Sequence, residues 1–231
     1  MISWVPEPFT VVQTAEAHRN FWKPEKVKLL LLAESHVYAS AEDNAVNVCI
    51  DALDQLGCPN EFIKLVYCLG YGDNRVLSKP ILKNPGTPQY WELFKTFAKA
   101  FAPEFNNFDD SDYTGKIAIL QSLKENGIWL LDSCPIALYR YDTNGTEIKK
   151  VMSNYNNILK LSWQMYSRNE LYSSHPEQII VIGRMVWKAL RHDLPKGTDW
   201  VYQPNAPRDD EYYQDTHAPT PDILQRMMAR R

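Results

Sequence analysis

The sequence predicts an α/β fold: a three-layer α/β/α sandwich around a central, mainly parallel four-stranded sheet. Three observations carry this. Leu29–Ala33, Ile128–Leu131, Ile179–Ile182 and Trp200–Tyr202 are short apolar runs without a helical period, as expected of strands covered on both faces. Helix-like stretches separate them, which calls for parallel crossovers. Each run ends in polar residues or glycine: Glu34-Ser35-His36, Asp132-Ser133, Gly183 and Gln203-Pro204-Asn205. Ligands bind beyond the carboxyl ends of such strands, so this rim is the candidate site.

The elements follow in order. Val11, Val12, Ala15 and Phe21-Trp22 place a helix over residues 10–22, stopped by Pro24; residues 1–26 read as an N-terminal helical extension. After the first strand, Ala45, Val48, Cys49, Ala52, Leu53 and Leu56 mark one helical face, with Gly57 just past its end. Residues 59–88, punctuated by Pro80, Pro85-Gly86 and Pro88, read as a long irregular insertion. Loops of this length are usually functional or mobile. Pro88 then opens a helix whose stripe is Trp91, Phe94, Phe97, Ala98 and Phe101. A further helix spans about 114–126 before the second strand. Residues 153–171 form another, with Tyr155, Ile158, Leu159, Ser162, Met165 and Tyr166 on one side. Gly183 leads into a helix carrying Arg184, Trp187, Lys188 and Arg191, and the basic end, Arg226–Arg231, is expected to be helical.

The 231 residues fit a single domain able to bury a sizeable core. A net charge of −3 provides no global basic field for nucleic acid, although a local patch suffices to hold phosphate. Cys49, Cys58, Cys68 and Cys134 form no C-x-x-C pair, Pro6 and Pro8 interrupt any leader-like start, and no run reaches the roughly 18 apolar residues of a membrane span. The expectation is a cytoplasmic protein with reduced thiols, no membrane association and a monomeric state.

Several chemistries lack their residues. There is no G-x-x-x-x-G-K-[ST] loop, no G-x-G-x-x-G after the first strand and no G-x-S-x-G elbow. The five histidines have no metal-ligand spacing, so neither metal nor other cofactor is expected.

What remains is Glu34, Ser35 and His36 from the first strand, Asp132 from the second, and Gln203 and Asn205 after the fourth. In order and spacing this resembles the uracil-DNA glycosylase superfamily. That family's first strand ends G-Q-D-P-Y-H, or G-E-A-P-G in another branch, echoed by Ala33-Glu34-Ser35-His36-Val37. Its central G-V-L-L-L-N, followed by L-T, is echoed by Gly127–Asp132 and Ile136-Ala137-Leu138. Its closing H-P-S-P is echoed by Gln203-Pro204-Asn205-Ala206-Pro207. The strand Ile179–Ile182 with Gly183 falls where the family has an apolar strand ending in glycine.

The resemblance implies a monofunctional glycosylase acting on single- or double-stranded DNA: a base leaves the stack, enters a pocket at the rim and is cut from its sugar. Ser35 stands where one branch has its catalytic aspartate, so the resemblance passes water activation or cation stabilisation to Glu34, with His36 next. Asp132 takes the place of the base-reading asparagine. An ionised carboxylate accepts from the N4 amine of cytosine but cannot donate to uracil O4. Val37 replaces a tyrosine that closes the pyrimidine C5 position in one branch, which leaves room for a C5 substituent. The implied substrate is a cytosine-type, C5-modified base, as in the DNA of some bacteriophages, and the implied role is defence. Gln203 would face the leaving base, Arg208 a phosphate, and Tyr38 would stack on the base. The lack of C-x-x-C implies no iron–sulfur cluster. Plainer alternatives are a strand-end Glu34 bonded to a neighbouring amide, a turn-capping Asp132 and a core Tyr38. At the level of function they are a nucleoside or nucleotide hydrolase, or a catalytically silent DNA- or partner-binding protein. Basic side chains near the rim, Lys79, Lys83, Arg184 and Lys188, would favour DNA.

Overall fold

The computed structural model describes residues 7–101, 112–141, 147–149, 154–204 and 217–229. Its centre is β1, Leu29–Ala33, in which each residue is at most 2% exposed. β1 pairs in parallel with β2 (Ile128–Asp132) on one side and β5 (Gln178–Ile182) on the other; β6 (Asp199–Val201) extends the sheet beyond β5. The order β2-β1-β5-β6 is all parallel. The chain steps outward from β1 to β2, then crosses back to β5, so the direction of winding reverses between β1 and β5. The carboxyl ends at such a reversal open a crevice. The register places Ala33 opposite Asp132, which brings the polar sequels of both strands to one level.

Helices cover the sheet: α1 (Phe9–Phe21), α2 (Ala41–Asn44), α3 (Asp51–Leu56), α4 (Pro88–Phe101), α5 (Tyr113–Glu125), α6 (Tyr155–Ser162), α7 (Arg168–Ser174), α8 (Arg184–Leu190) and α9 (Pro221–Met228). In α4, Trp91, Phe94, Phe97 and Ala98 are buried as their spacing predicts. β2 is an edge strand, and the Leu130 N–H on it donates to the buried Tyr67 hydroxyl at 2.7 Å. An edge donor is thus satisfied from the 59–88 segment. Among the described residues, no helix is long and apolar enough to cross a membrane.

Five local expectations change. The helix expected over 45–56 is two short helices joined by extended chain. Ser40 and Asp43 form a capping box for α2; then Val46, Val48 and Ile50 are buried while Ala45, Asn47 and Cys49 are exposed. That alternation is the period of a strand, and Asn47 and Val48 bridge to Glu61 and Leu77. The 59–88 segment is irregular, yet Phe62 and Ile63 are fully buried and Leu65–Leu69 nearly so. Its first half is core rather than flap. The helix over 153–171 is interrupted by a π turn, Trp163–Ser167. The extra residue rotates the face: Trp163 and Ser167 are buried, while Met165 and Tyr166 are 56% and 57% exposed. An antiparallel hairpin, β3 (Tyr139–Tyr141) with β4 (Glu147–Lys149), was not expected; it joins the rim through a Val37–Tyr139 bridge. The last helix is Pro221–Met228, starting at a Thr220 cap upstream of the expected basic segment.

The N-terminal helix is built into the core. Val11 and Ala15 are fully buried, and His18 and Arg19, on the same face of α1, are 1% exposed.

Candidate site at the sheet rim

Beyond β1 the chain is knitted to the loop after β2. Ser133 N–H donates to the Ala33 carbonyl at 2.9 Å and Cys134 N–H to the Glu34 carbonyl at 3.0 Å, while the Ser133 hydroxyl donates to Ala33 at 2.7 Å. Val37 N–H donates to the Lys64 carbonyl at 3.0 Å, and Tyr38 N–H to that of Tyr139 at 3.1 Å. Glu34, Ser35, His36, Val37, Asp132 and Gln203 surround one cavity there, with Lys64, Leu65, Val66, Thr87, Tyr90 and Tyr139 also in its wall. All six of the first group were expected from sequence. The cavity volume is about 30 Å³, one water's share of liquid and far below the roughly 300 Å³ at which ligand pockets begin. Larger hollows lie elsewhere, one of about 590 Å³ at the amino ends of β5 and β6, away from the strand ends that carry the chemistry.

Two polar links pass behind the cavity. In the first, His36 Nε2 lies 3.0 and 3.1 Å from the two carboxylate oxygens of Glu7, whose side chain is 2% exposed. Glu7 also accepts from Ala137 N–H at 2.8 Å and Ala39 N–H at 3.5 Å. Burial pushes the Glu7 carboxyl up, but His36 and the two amides outweigh it and leave the group below its ordinary value. In the second link, the buried Arg19 guanidinium contacts Asp132 Oδ2 on one side and Glu16 on the other. Burial opposes the Arg19 charge, and Asp132 and Glu16 restore it and more. Arg19 Nη2 also reaches His36 Nδ1 at 3.0 Å. Arginine has donors only, so His36 Nδ1 accepts and its proton sits on Nε2, donated to Glu7. Both ring nitrogens therefore have partners in this structure. Among the described residues, no group of three His, Cys, Asp or Glu side chains is gathered as a metal would need.

Ser35 is bonded as well: its hydroxyl donates to the His36 carbonyl and accepts from Leu138 N–H, both at 3.2 Å. Asp132 lines the cavity while paired with Arg19, so it is not a simple turn cap. Glu34 is half-buried on the cavity wall, facing two phenols. Burial first, and then the Glu34 charge with a hydrogen bond to it, pushes Tyr155 up; burial, Asp132 and Glu34 do the same to Tyr90. Val37 is buried and bridged to Tyr139. Tyr38 is not among the described residues that line the cavity; burial and then Glu7 raise its phenol. Gln203 reaches the cavity from the end of β6, and Asn205 and Arg208 lie outside the described residues.

Glu7, Arg19, Tyr90, Tyr139 and Tyr155 were not singled out from sequence. Arg19 had a readable signal: it sits with Val11, Ala15 and His18 on the apolar face of α1, and a charge there needs a partner. Glu7 had none. No family model matches the sequence, and no curated protein matches it either.

Proposed function

We propose that the protein is a monofunctional DNA base glycosylase that hydrolyses the N-glycosidic bond of a flipped, cytosine-type base and leaves an abasic site. The observation that carries this reading is the convergence of Glu34, Asp132 and Gln203, from the ends of three strands, on one cavity where the sheet reverses its winding. Glu34 takes a proton from the attacking water or stabilises the developing sugar cation. Water adds to C1′, and the base departs with the bonding electron pair. Arg19 holds Oδ2 of Asp132 and leaves Oδ1 to accept from an exocyclic amine, which favours cytosine over uracil. The Gln203 amide donates to the leaving base. Val37 itself puts no aromatic ring against the C5 position, which suits a C5-modified base and a role against phage DNA.

A base is larger than the cavity, so binding one requires the wall to open. The small cavity and the commitment of His36 to Glu7 and Arg19 favour one second reading, a catalytically silent member of the same fold. The test is incubation of the protein with oligonucleotides that differ in one base, followed by alkali. Strand breaks with a C5-modified cytosine, and their loss in Glu34→Gln, support the enzyme; free nucleosides as the preferred substrate would replace DNA; no release from any substrate leaves the silent reading.

A further inference from the structure

On the far side of the two polar links from the rim cavity lies a second hollow. It is a groove of about 760 Å³ between α1, the loop after β2 and the π turn, with a predominantly apolar lining that includes Phe9, Val12, Leu131, Ile136, Met165 and Tyr166. Four of these are large and exposed: Phe9 74%, Ile136 40%, Met165 56% and Tyr166 57%. A contiguous exposed apolar patch with a polar border marks an interaction surface. The patch is not left over from helix packing. The π turn rotates Met165 and Tyr166 out of the apolar face on which ordinary helical spacing would have put them, and π turns collect at functional sites.

The border has one sign. Glu7, Glu16 and Glu170 line the groove, and no lysine or arginine is among its described lining residues. Lys23 answers Glu170 at 2.8 Å. Glu16 has no such match to itself: it shares the single guanidinium of Arg19 with the buried Asp132, two carboxylates to one cation. The wall of the groove therefore carries excess negative charge, and Glu16, 40% exposed, presents it to solvent.

We infer that this groove docks a basic amphipathic helix of a partner protein, its apolar face on Phe9, Ile136, Met165 and Tyr166 and its lysines or arginines toward the exposed Glu16. Helix-in-groove recognition uses this combination of an apolar trough and complementary rim charge, and an exposed methionine adapts to differing side chains. The inference is independent of the chemistry at the rim cavity.

The test uses the full chain and a fluorescein-labelled amphipathic helical peptide of leucine and lysine, followed by anisotropy. The expected result is saturable binding that weakens at least about tenfold in Met165→Ser/Tyr166→Ser, as loss of one well-buried apolar side chain implies. Glu16→Gln should weaken binding and flatten its salt dependence. The serine variant changes exposed positions only, so its circular dichroism and thermal midpoint should match the parent. Equal binding of a leucine–glutamate peptide or of a scrambled leucine–lysine peptide would overturn the proposal, as would indifference to the serine substitutions. Peptide binding seen only after deletion of residues 1–6 would assign the groove to this chain's own beginning. Sedimentation as a dimer that the serine variant dissociates, without peptide binding, would assign it to a second copy.

Discussion

Replacing Arg19 by methionine isolates the link behind the rim cavity. The side chain is 1% exposed and contacts Asp132, itself 3% exposed, together with Glu16 and His36. Methionine fills much of the same space but leaves Asp132 buried without its cation and His36 Nδ1 without its donor. Removing one member of a buried pair costs about 3–5 kcal/mol. Glu16 adds little, because at 40% exposure water can solvate it. For a chain of this size each kcal/mol shifts the thermal midpoint by about 2–4 °C, so the expected fall is roughly 6–20 °C. Differential scanning fluorimetry and urea unfolding read it directly. The double variant Arg19→Met/Asp132→Leu removes both charges and should recover most of the loss, since an apolar pair can replace a buried ion pair at little cost. A fall in Arg19→Met below about 1 kcal/mol, the range of exposed pairs, would refute the reasoning, and so would a double variant less stable than the single one.

Three further outcomes follow from other parts of the molecule. The Glu7 carboxyl is lowered from an ordinary value of 4.5, so its stabilisation is complete above that value and is lost as pH falls through the folded one. The stability gap between parent and Glu7→Gln should hold steady above about pH 5 and close below it, which acid-range urea titrations would show. Burial pushes the thiols of Cys68 and Cys134 up to about 11 and that of Cys58 to about 12, whereas Cys49 is exposed. A disulfide reagent at mild pH should therefore modify Cys49 quickly and the other three only on unfolding. Gly57 and Gly86 share φ +71, but a Cβ on Gly57 meets nothing within 4 Å whereas one on Gly86 lies 2.8 Å from Gly72 Cα. Gly57→Ala should cost about 1–2 kcal/mol of left-handed strain, and Gly86→Ala about 1–3 kcal/mol more for the backbone clash.

The sheet was legible because its four strands are apolar runs with no competing period, and the rim because each run stops at a polar residue or glycine. Leu29–Ala33 and Ile128–Asp132 needed only to lie side by side for Glu34 and Asp132 to meet. Local backbone choices were harder. Between Asn44 and Ile50 a period-two burial pattern lies inside a segment that also fits a helical stripe, and the bridges from Asn47 and Val48 to distant residues decide between them. The π turn at Trp163–Ser167 inserts one residue into a helix, an event that leaves no mark on spacing until the face is seen to slip. The partners of His36 and Ser35 were not legible for a shared reason. Each looks available at a strand end, and each is taken up by partners far away in the chain, His36 by Glu7 and Arg19, Ser35 by Leu138.

The central claim is that the rim cavity is where a glycosidic bond is broken, with Glu34 as the acting carboxylate. The most direct measurement is abasic-site formation, read as alkali-labile breaks, in matched oligonucleotides carrying cytosine, C5-modified cytosine or uracil, with the parent and with Glu34→Gln. The account predicts breaks with the modified cytosine ahead of the other two, and their disappearance in Glu34→Gln while the thermal midpoint holds. Breaks that persist undiminished in Glu34→Gln, or no breaks with any base, would contradict it.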